Sequence, residues 1–252
     1  MKPVRAEPYR WRLSGGFIAH LLKATTQQHH RGLAPTIARL LPPAAVVFDV
    51  GAHAGQYTKL FARAASAGRV YAFEPGSYAR AILRVVVWLR RLRNVTVLPA
   101  ALGAECGVAT LSVPVKRSGS FGFGLSHLGA PQERWPSVAQ EVVAVITIDR
   151  VAAALALDRV DLIKADIEGW EFSLLRGAAD TLQRFRPCLL IELSEAHLNR
   201  AGETLDAAFA FLAGLGYGAF ELAPGGSLVP VATPRDGDFW FISGDDPAPG
   251  ML

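Results

Sequence analysis

Short apolar runs alternate along this chain with longer stretches whose apolar residues recur every three or four positions. Val46 to Val50 reads as a strand buried on both faces, and Gln56 to Ala65 as an amphipathic helix. Arg69 to Glu74 is the next strand, ended by Pro75-Gly76. Ala79 to Leu92 predicts a helix with an apolar stripe, its arginines at 80, 84, 90, 91 and 93, and Val95 to Leu98 a third strand. Strands alternating with helices indicate parallel βαβ units and a doubly wound sheet.

The middle of the chain leaves that rhythm. Gly107 to Val115 and Val142 to Ile148 alternate polar with apolar, as half-buried strands do. Between them, 116–137 holds Gly119, Gly122, Gly124, Gly129, Pro131, Pro136, His127 and Trp135. A loop of about 20 residues inside a compact domain is commonly functional, and this one reads as a substrate or lid loop. Asp149 is placed to cap a helix that runs to Leu157. Val160 to Ala165 is a buried strand, Trp170 to Phe185 one helix, and Pro187 to Leu193 another strand. Leu205 to Leu215 is a helix, and Gly218 to Leu222 with Asp238 to Ser243 a closing pair. Upstream, residues 11–41 read as mostly helical, broken at Gly32 to Pro35 and stopped by Pro42-Pro43. The expected organisation is a basic helical extension over 1–43, one α/β domain over 44–244 and a frayed tail over 245–252.

At 252 residues the chain can build one large core, and its hydrophobic fraction of 51% owes much to alanine. No run of about 18 apolar residues suggests a membrane span. The apolar part of the first residues, Phe17 to Leu22, is short and interrupted by His20, a poor secretory signal. Two cysteines, Cys106 and Cys188, fall short of a disulfide framework and fit a reducing cytoplasm. The net charge of +4 is uneven: Lys2, Arg5, Arg10, Arg12, Lys23, Arg31 and Arg39 face Glu7 alone within 1–43. That describes a basic arm, able to touch an anionic substrate, a membrane surface or another subunit, and no nucleic-acid-binding core.

Candidate chemistry starts where the first strand meets the first helix, in Asp49-Val50-Gly51-Ala52-His53-Ala54-Gly55-Gln56-Tyr57-Thr58. A strand, a Gly turn and a helix N-terminus gather backbone N–H groups around a ligand. A dinucleotide site needs G-x-G-x-x-G, and here His53 stands where the middle glycine would approach a pyrophosphate. That speaks against NAD and toward a nucleoside cofactor without a pyrophosphate, for which S-adenosylmethionine is the natural candidate. Glu74, about twenty residues beyond the turn, is placed to accept hydrogen bonds from ribose hydroxyls.

Lys164-Ala165-Asp166-Ile167-Glu168-Gly169-Trp170-Glu171 is the second constellation, at another strand end. Its carboxylates could bind the cofactor amine, orient an acceptor hydroxyl or take its proton. Helix-dipole preference accounts for Glu171 and less well for Asp166 and Glu168. Glu192 ends the following strand. His127 and His197 are lesser candidates for a base, and a metal on Asp166 and Glu192 is a minor alternative. Adjacent His29 and His30 point apart on a helix and suit a shared metal badly.

These segments occur in order with Phe73-Glu74-Pro75, Ala100-Ala101-Leu102-Gly103, Thr147-Ile148-Asp149, Leu175-Arg176-Gly177-Ala178 and Ile191-Glu192. Together they resemble the FkbM family of S-adenosylmethionine-dependent methyltransferases. The resemblance implies a Rossmann-like class I methyltransferase fold: a mixed seven-stranded sheet with helices on both faces and an antiparallel last strand. It implies O-methylation of a hydroxyl on a sugar, glycolipid, polysaccharide or polyketide. It places Asp49, Gly51, His53, Gly55, Tyr57 and Thr58 in the cofactor loop, Glu74 on the ribose and Ala101-Leu102 beside the adenine. Asp166 and Glu168 would face the methyl-transfer region, Asp166 also touching the cofactor. Position 53, usually asparagine in the family, is histidine here. The rival readings are a nucleoside-binding partner protein without activity and an NAD-dependent oxidoreductase.

Overall fold

The computed structural model describes residues 5–8, 15–115, 127–128 and 137–244. β1 (Arg5–Pro8) leads to α1 (Gly15–Thr26), a 3-10 turn (Arg31–Leu33) and α2 (Ala34–Leu40). β2 (Val46–Val50), α3 (Gln56–Ala64), β3 (Arg69–Phe73), α4 (Ser77–Leu89) and β4 (Val95–Leu98) follow. β5 (Ala100–Leu102), β6 (Gly107–Val115), β7 (His127–Leu128), β8 (Ser137–Ile146) and α5 (Ile148–Ala154) make the middle. β9 (Leu162–Ala165), α6 (Glu171–Arg176), α7 (Ala179–Phe185), β10 (Cys188–Leu193) and α8 (Glu195–Leu198) precede α9 (Leu205–Gly214). β11 (Tyr217–Leu222), β12 (Leu228–Pro230) and β13 (Gly237–Ser243) follow.

The main sheet has eight strands in the order β12-β11-β13-β10-β9-β2-β3-β4. β10, β9, β2, β3 and β4 run parallel, and β13 pairs antiparallel with both β10 and β11. The seven expected strands are all present, with the expected antiparallel one. The eighth, β12, is a three-residue return onto β11 at the sheet edge, where Pro230 is tolerated. Neighbouring strand residues face opposite helical layers. Phe48, Ile163, Leu189 and Phe241 join one core, whereas Val47, Leu162, Leu190 and Trp240 join the other. A strand covered on both sides must be apolar at every position, which explains the continuous runs.

The two alternating segments of the middle form a second, smaller sheet, β1-β8-β6-β7, with β5 also on β8. β6 and β8 pair antiparallel from Gly107↔Val145 to Val115↔Ser137, and β1 pairs parallel to β8. Their polar-apolar alternation has one buried face, holding Leu111, Val113, Val143 and Val145. The expected loop over 116–137 lies mostly outside the described residues, as does the expected tail over 245–252.

Three local expectations change. The helix expected over 170–185 is two helices that part at Gly177, where a Cβ would lie 2.0 Å from the carbonyl oxygen of Gly103. Asp149 does not cap its own helix: Thr147 does, accepting from the Arg150 N–H at 3.0 Å. Asp149 instead accepts from the N–H groups of Asp180 (3.2 Å) and Thr181 (2.8 Å), capping α7 from across the fold. Pro35 opens α2 instead of breaking a helix, since the first turn needs no intrahelical N–H there.

Candidate functional site

Two strand-to-helix turns meet at the carboxyl ends of β2 and β9, the edge where open α/β sheets bind ligands. In the first, Gly51 (φ 71°) and Gly55 (φ 83°) adopt left-handed conformations. A Cβ on Gly51 would lie 2.1 Å from the carbonyl oxygen of Asp166, and one on Gly55 2.7 Å from Leu83 Cδ1. Both glycines are therefore demanded by the protein's own packing as well as by any ligand.

Asp49 is fully buried beneath this turn. Its Oδ2 accepts from Thr58 Oγ1 at 2.5 Å, and its Oδ1, without a hydrogen-bond partner, lies 3.9 Å from Lys164 Nζ. Burial raises the Asp49 pKa, against the pull of Lys164 and Thr58. The Lys164 ammonium donates to the carbonyls of Val50 (3.2 Å) and Gly51 (3.3 Å) and sits 5.0 Å from the centre of the Tyr57 ring. Lys164 thus ties the first turn to β9, although the sequence reading assigned it no part.

His53 acts through its backbone, held at φ 47°. Its N–H donates to Glu74 Oε2 at 2.8 Å, while Glu74 Oε1 accepts from the Gly76 N–H at 2.8 Å. Each Glu74 oxygen keeps acceptor capacity for a ligand hydroxyl. Burial pushes the Glu74 carboxyl up to about 7 despite those two donors. The solvent-accessible His53 ring has its pKa lowered by surrounding protein atoms, with Asp166 acting the other way.

The second turn is held from below by Glu171. Its Oε1 accepts from the Ile167 N–H at 2.8 Å and its Oε2 from the Gly169 N–H at 2.9 Å. Glu171 is buried, which raises its carboxyl to about 7. Helix-dipole preference is thus an incomplete account of Glu171: it is a staple for the turn. Above it, Glu168 (φ 58°) and Gly169 (φ 109°) take left-handed backbone, and Glu168 Oε2 meets His197 Nδ1 at 3.2 Å. A Cβ on Gly169 would fall 2.4 Å from the His197 carbonyl oxygen, so β10's following helix presses directly on this turn.

Asp166 stands between the two turns with 38% of its side chain exposed, 3.5 Å from Lys164 Nζ and hydrogen-bonded to Glu192. The register Ile191↔Ala165 sets Glu192 beside Asp166, and Glu192↔Asp238 adds a third carboxyl in line. Burial works to raise the Asp166 pKa, but Lys164 and the Glu192 hydrogen bond prevail and hold it low. Glu192 takes the other side of the pair: burial and the Asp166 charge push it up to about 8. Within the pair, Asp166 is the more acidic carboxyl and Glu192 the less acidic one.

A cavity of ≈ 290 Å³ joins these parts. Gly51, His53, Tyr57, Glu74, Ala101, Leu102, Asp166 and Glu168 line it; Asp49, Gly55 and Thr58 support it from beneath. The smaller sheet contributes Leu111, Val113 and Glu141, whose Oε2 accepts from both the N–H and the hydroxyl of Ser77. His30 supplies a wall from the N-terminal segment, stacked on Tyr57 with ring centres 4.5 Å apart. Nothing in the local sequence around His30 announces that role. Lys164 did carry a signal, as a lysine inside an otherwise apolar strand. The His127 side chain lies outside the described residues. Among the described residues no three His, Cys, Asp or Glu are grouped to hold a metal.

The cavity fits an adenosyl cofactor by its own geometry. A turn with glycine at 51 and 55 faces a buried acidic residue with free acceptor capacity, and the apolar Ala101 and Leu102 of β5 line the cavity beside them. Fold and site together define a Rossmann-like α/β protein of the class I S-adenosylmethionine-dependent type. More specifically, the Methyltransferase FkbM domain matches residues 49–218, and the chain belongs to that family. Methyltransferase FkbM from Methylobacillus flagellatus KT superposes with a TM-score of 0.52 at 19% identity, over 86% of this chain and 47% of that one. The chain thus spans about half the length of that relative. A methyltransferase from Streptococcus mutans in complex with SAH gives a TM-score of 0.47 at 11% identity, over 85% of this chain and 96% of that one. No curated protein sequence matches significantly.

Proposed function

We propose that the protein transfers a methyl group from S-adenosylmethionine to a hydroxyl of a sugar, glycolipid, polysaccharide or polyketide-type acceptor, with Asp166 as the base. The observation that carries this reading is Asp166 itself: a partly exposed carboxylate at the cavity rim, 3.5 Å from Lys164 Nζ and beside the cofactor turn. The cofactor supplies an electrophilic methyl on a sulfonium. The chain's residues do the rest. Glu74 would accept from the ribose hydroxyls, the backbone of 51–54 would hold the amino acid portion, and Ala101-Leu102 would flank the adenine; all of these residues line the cavity. Asp166 would accept the hydrogen bond of the acceptor hydroxyl and take up its proton on methyl transfer. Lys164 stabilises Asp166 as an anion before the reaction, and Glu192 donates to it. Glu168, engaged with His197, borders the acceptor side.

Asp166→Asn keeps the shape, removes the base and is expected to slow turnover about 10²–10⁴-fold. Cofactor affinity should stay close to wild type by calorimetry. Full activity in that variant with a competent acceptor would refute the assignment. Thermal shifts with S-adenosylhomocysteine, NAD and ATP separate the rivals, since only the first should stabilise the fold.

A further inference from the structure

Beside the cofactor cavity, whose wall takes in the start of α4, α1 and α4 pack side by side in the same direction. Near their starts Phe17 meets Tyr78 edge-on, ring centres 5.4 Å apart, and near their ends the Arg90 guanidinium donates to the Thr25 carbonyl. Each helix has one apolar stripe buried in this contact: Phe17 and Ala24 on α1, Tyr78, Ile82 and Val86 on α4. Each also shows apolar side chains to solvent. Trp88 is 75% exposed and Leu89 47% on α4, and Ile18 and Leu22 are 62% and 63% exposed on α1. Ile18 and Leu22 are four apart, so they share one stripe of α1. Trp88 and Leu89 edge a shallow groove at the end of α4.

The charge around these residues has one sign. Lys23, Arg84, Arg90, Arg91 and Arg93 are exposed, and no Asp or Glu occurs between Glu7 and Asp49 or between Glu74 and Glu105. The rest of the chain intermingles both signs, so this is a local design, not an average property. An ordinary solvated face mixes charges and hides tryptophan.

We propose that the α1–α4 face docks peripherally on an anionic lipid surface. The side chains divide the task as the bilayer interface requires. Trp88, Leu89, Ile18 and Leu22 enter the headgroup–acyl boundary, where an indole is well placed because its body is apolar and its N–H polar. The arginines and Lys23 stay at the phosphate level, their aliphatic stems against the apolar residues. A nucleic acid would engage the same cations, but it leaves the aliphatic residues without a partner, so the lipid surface is the better match. Trp88 lies ten residues beyond Tyr78 of the cavity wall, about 15 Å along α4. The docking is independent of which acceptor is methylated.

Flotation of the full chain with vesicles of phosphatidylcholine, alone or mixed with phosphatidylglycerol, tests this. Wild type should float only with the anionic vesicles and release in high salt. The double variant Trp88→Ser with Leu89→Ser should partition about tenfold less. Arg84→Glu with Arg91→Glu and Arg93→Glu should lose binding by more than about tenfold. S-adenosylhomocysteine should stabilise both variants as it does wild type, which shows that they are folded. Absence of wild-type binding to anionic vesicles would overturn the proposal, as would undiminished binding by either variant. Two further results would replace it. Oligonucleotide binding that needs the arginines but not Trp88 would indicate a nucleic-acid surface, and a dimer that Trp88→Ser dissociates would indicate self-association.

Discussion

The two turns at the sheet's carboxyl edge have the same plan and opposite finishes. Each follows a buried parallel strand, each contains left-handed backbone and each leads into a helix. In the first, the acidic residue is drawn inward: Asp49 is buried under Thr58 and Lys164 and never reaches the cavity. In the second, the acidic residue that goes inward is Glu171, which leaves Asp166 and Glu168 on the cavity side. A buried carboxylate fixes a turn through the groups it holds: Glu171 accepts from two backbone N–H groups, and Asp49 from Thr58 with Lys164 nearby. An exposed one is free for a substrate. The molecule thus spends one carboxylate per turn on rigidity, and only the second turn has carboxylates left for chemistry.

Breaking the contact between the turns should have the largest effect. Gly51→Ala sets a Cβ against the Asp166 carbonyl in a left-handed conformation, and should cost about 2–5 kcal/mol by thermal or urea unfolding, with loss of cofactor binding. Removing the second turn's staple comes next. Glu171→Ala orphans the N–H groups of Ile167 and Gly169 and should cost about 2–4 kcal/mol, with turnover falling while cofactor affinity changes less. If cofactor affinity collapsed equally, the division of labour between the turns would be wrong. Glu74→Ala should weaken S-adenosylhomocysteine binding by about 1–3 kcal/mol in calorimetry, because a ribose loses its partner.

A pH series sharpens the same contrast. Glu74 and Glu171 are both raised to about 7, from carboxylate values near 4.5. A folded-state pKa above the unfolded one gives stability that is fully present below the unfolded value and lost as pH rises through the folded one. The free protein should therefore lose stability relative to Glu74→Gln between pH 4.5 and 7, by up to about 3 kcal/mol. Binding of S-adenosylhomocysteine should strengthen over the same interval, since the ionised Glu74 is the better ribose acceptor; a flat profile would contradict that role. The smallest effect is expected for Glu192→Gln, which mimics the protonated partner of Asp166 and should keep activity within about threefold.

Much of this was legible in the sequence because it is local. A strand, two glycines and a helix announce the first turn, and a carboxylate-rich strand end announces the second. The course of the main sheet follows from apolar runs that must face two helical layers. What local pattern could not carry are contacts made at a distance. Asp149 caps a helix thirty residues away, Gly177 lies against the Gly103 carbonyl, and His30 completes a cavity formed mainly by later residues. Glu171 was misjudged for the same reason, since its partners are backbone groups whose direction depends on the folded turn.

The pairing of Arg5 with Ser137 has a bearing on how the chain folds as it leaves the ribosome. A chain extended only as far as Val115 holds β2, β3 and β4, the Gly turn and Glu74. It still lacks the Asp166 carbonyl that Gly51 packs against and the β8 strand that receives β1. Contacts of such long sequence separation form late and slow folding. During synthesis the nascent segment therefore presents a half-made nucleoside seat, with α1 already carrying its exposed apolar stripe. That interval is when a chaperone, or a nearby lipid surface, has most to hold.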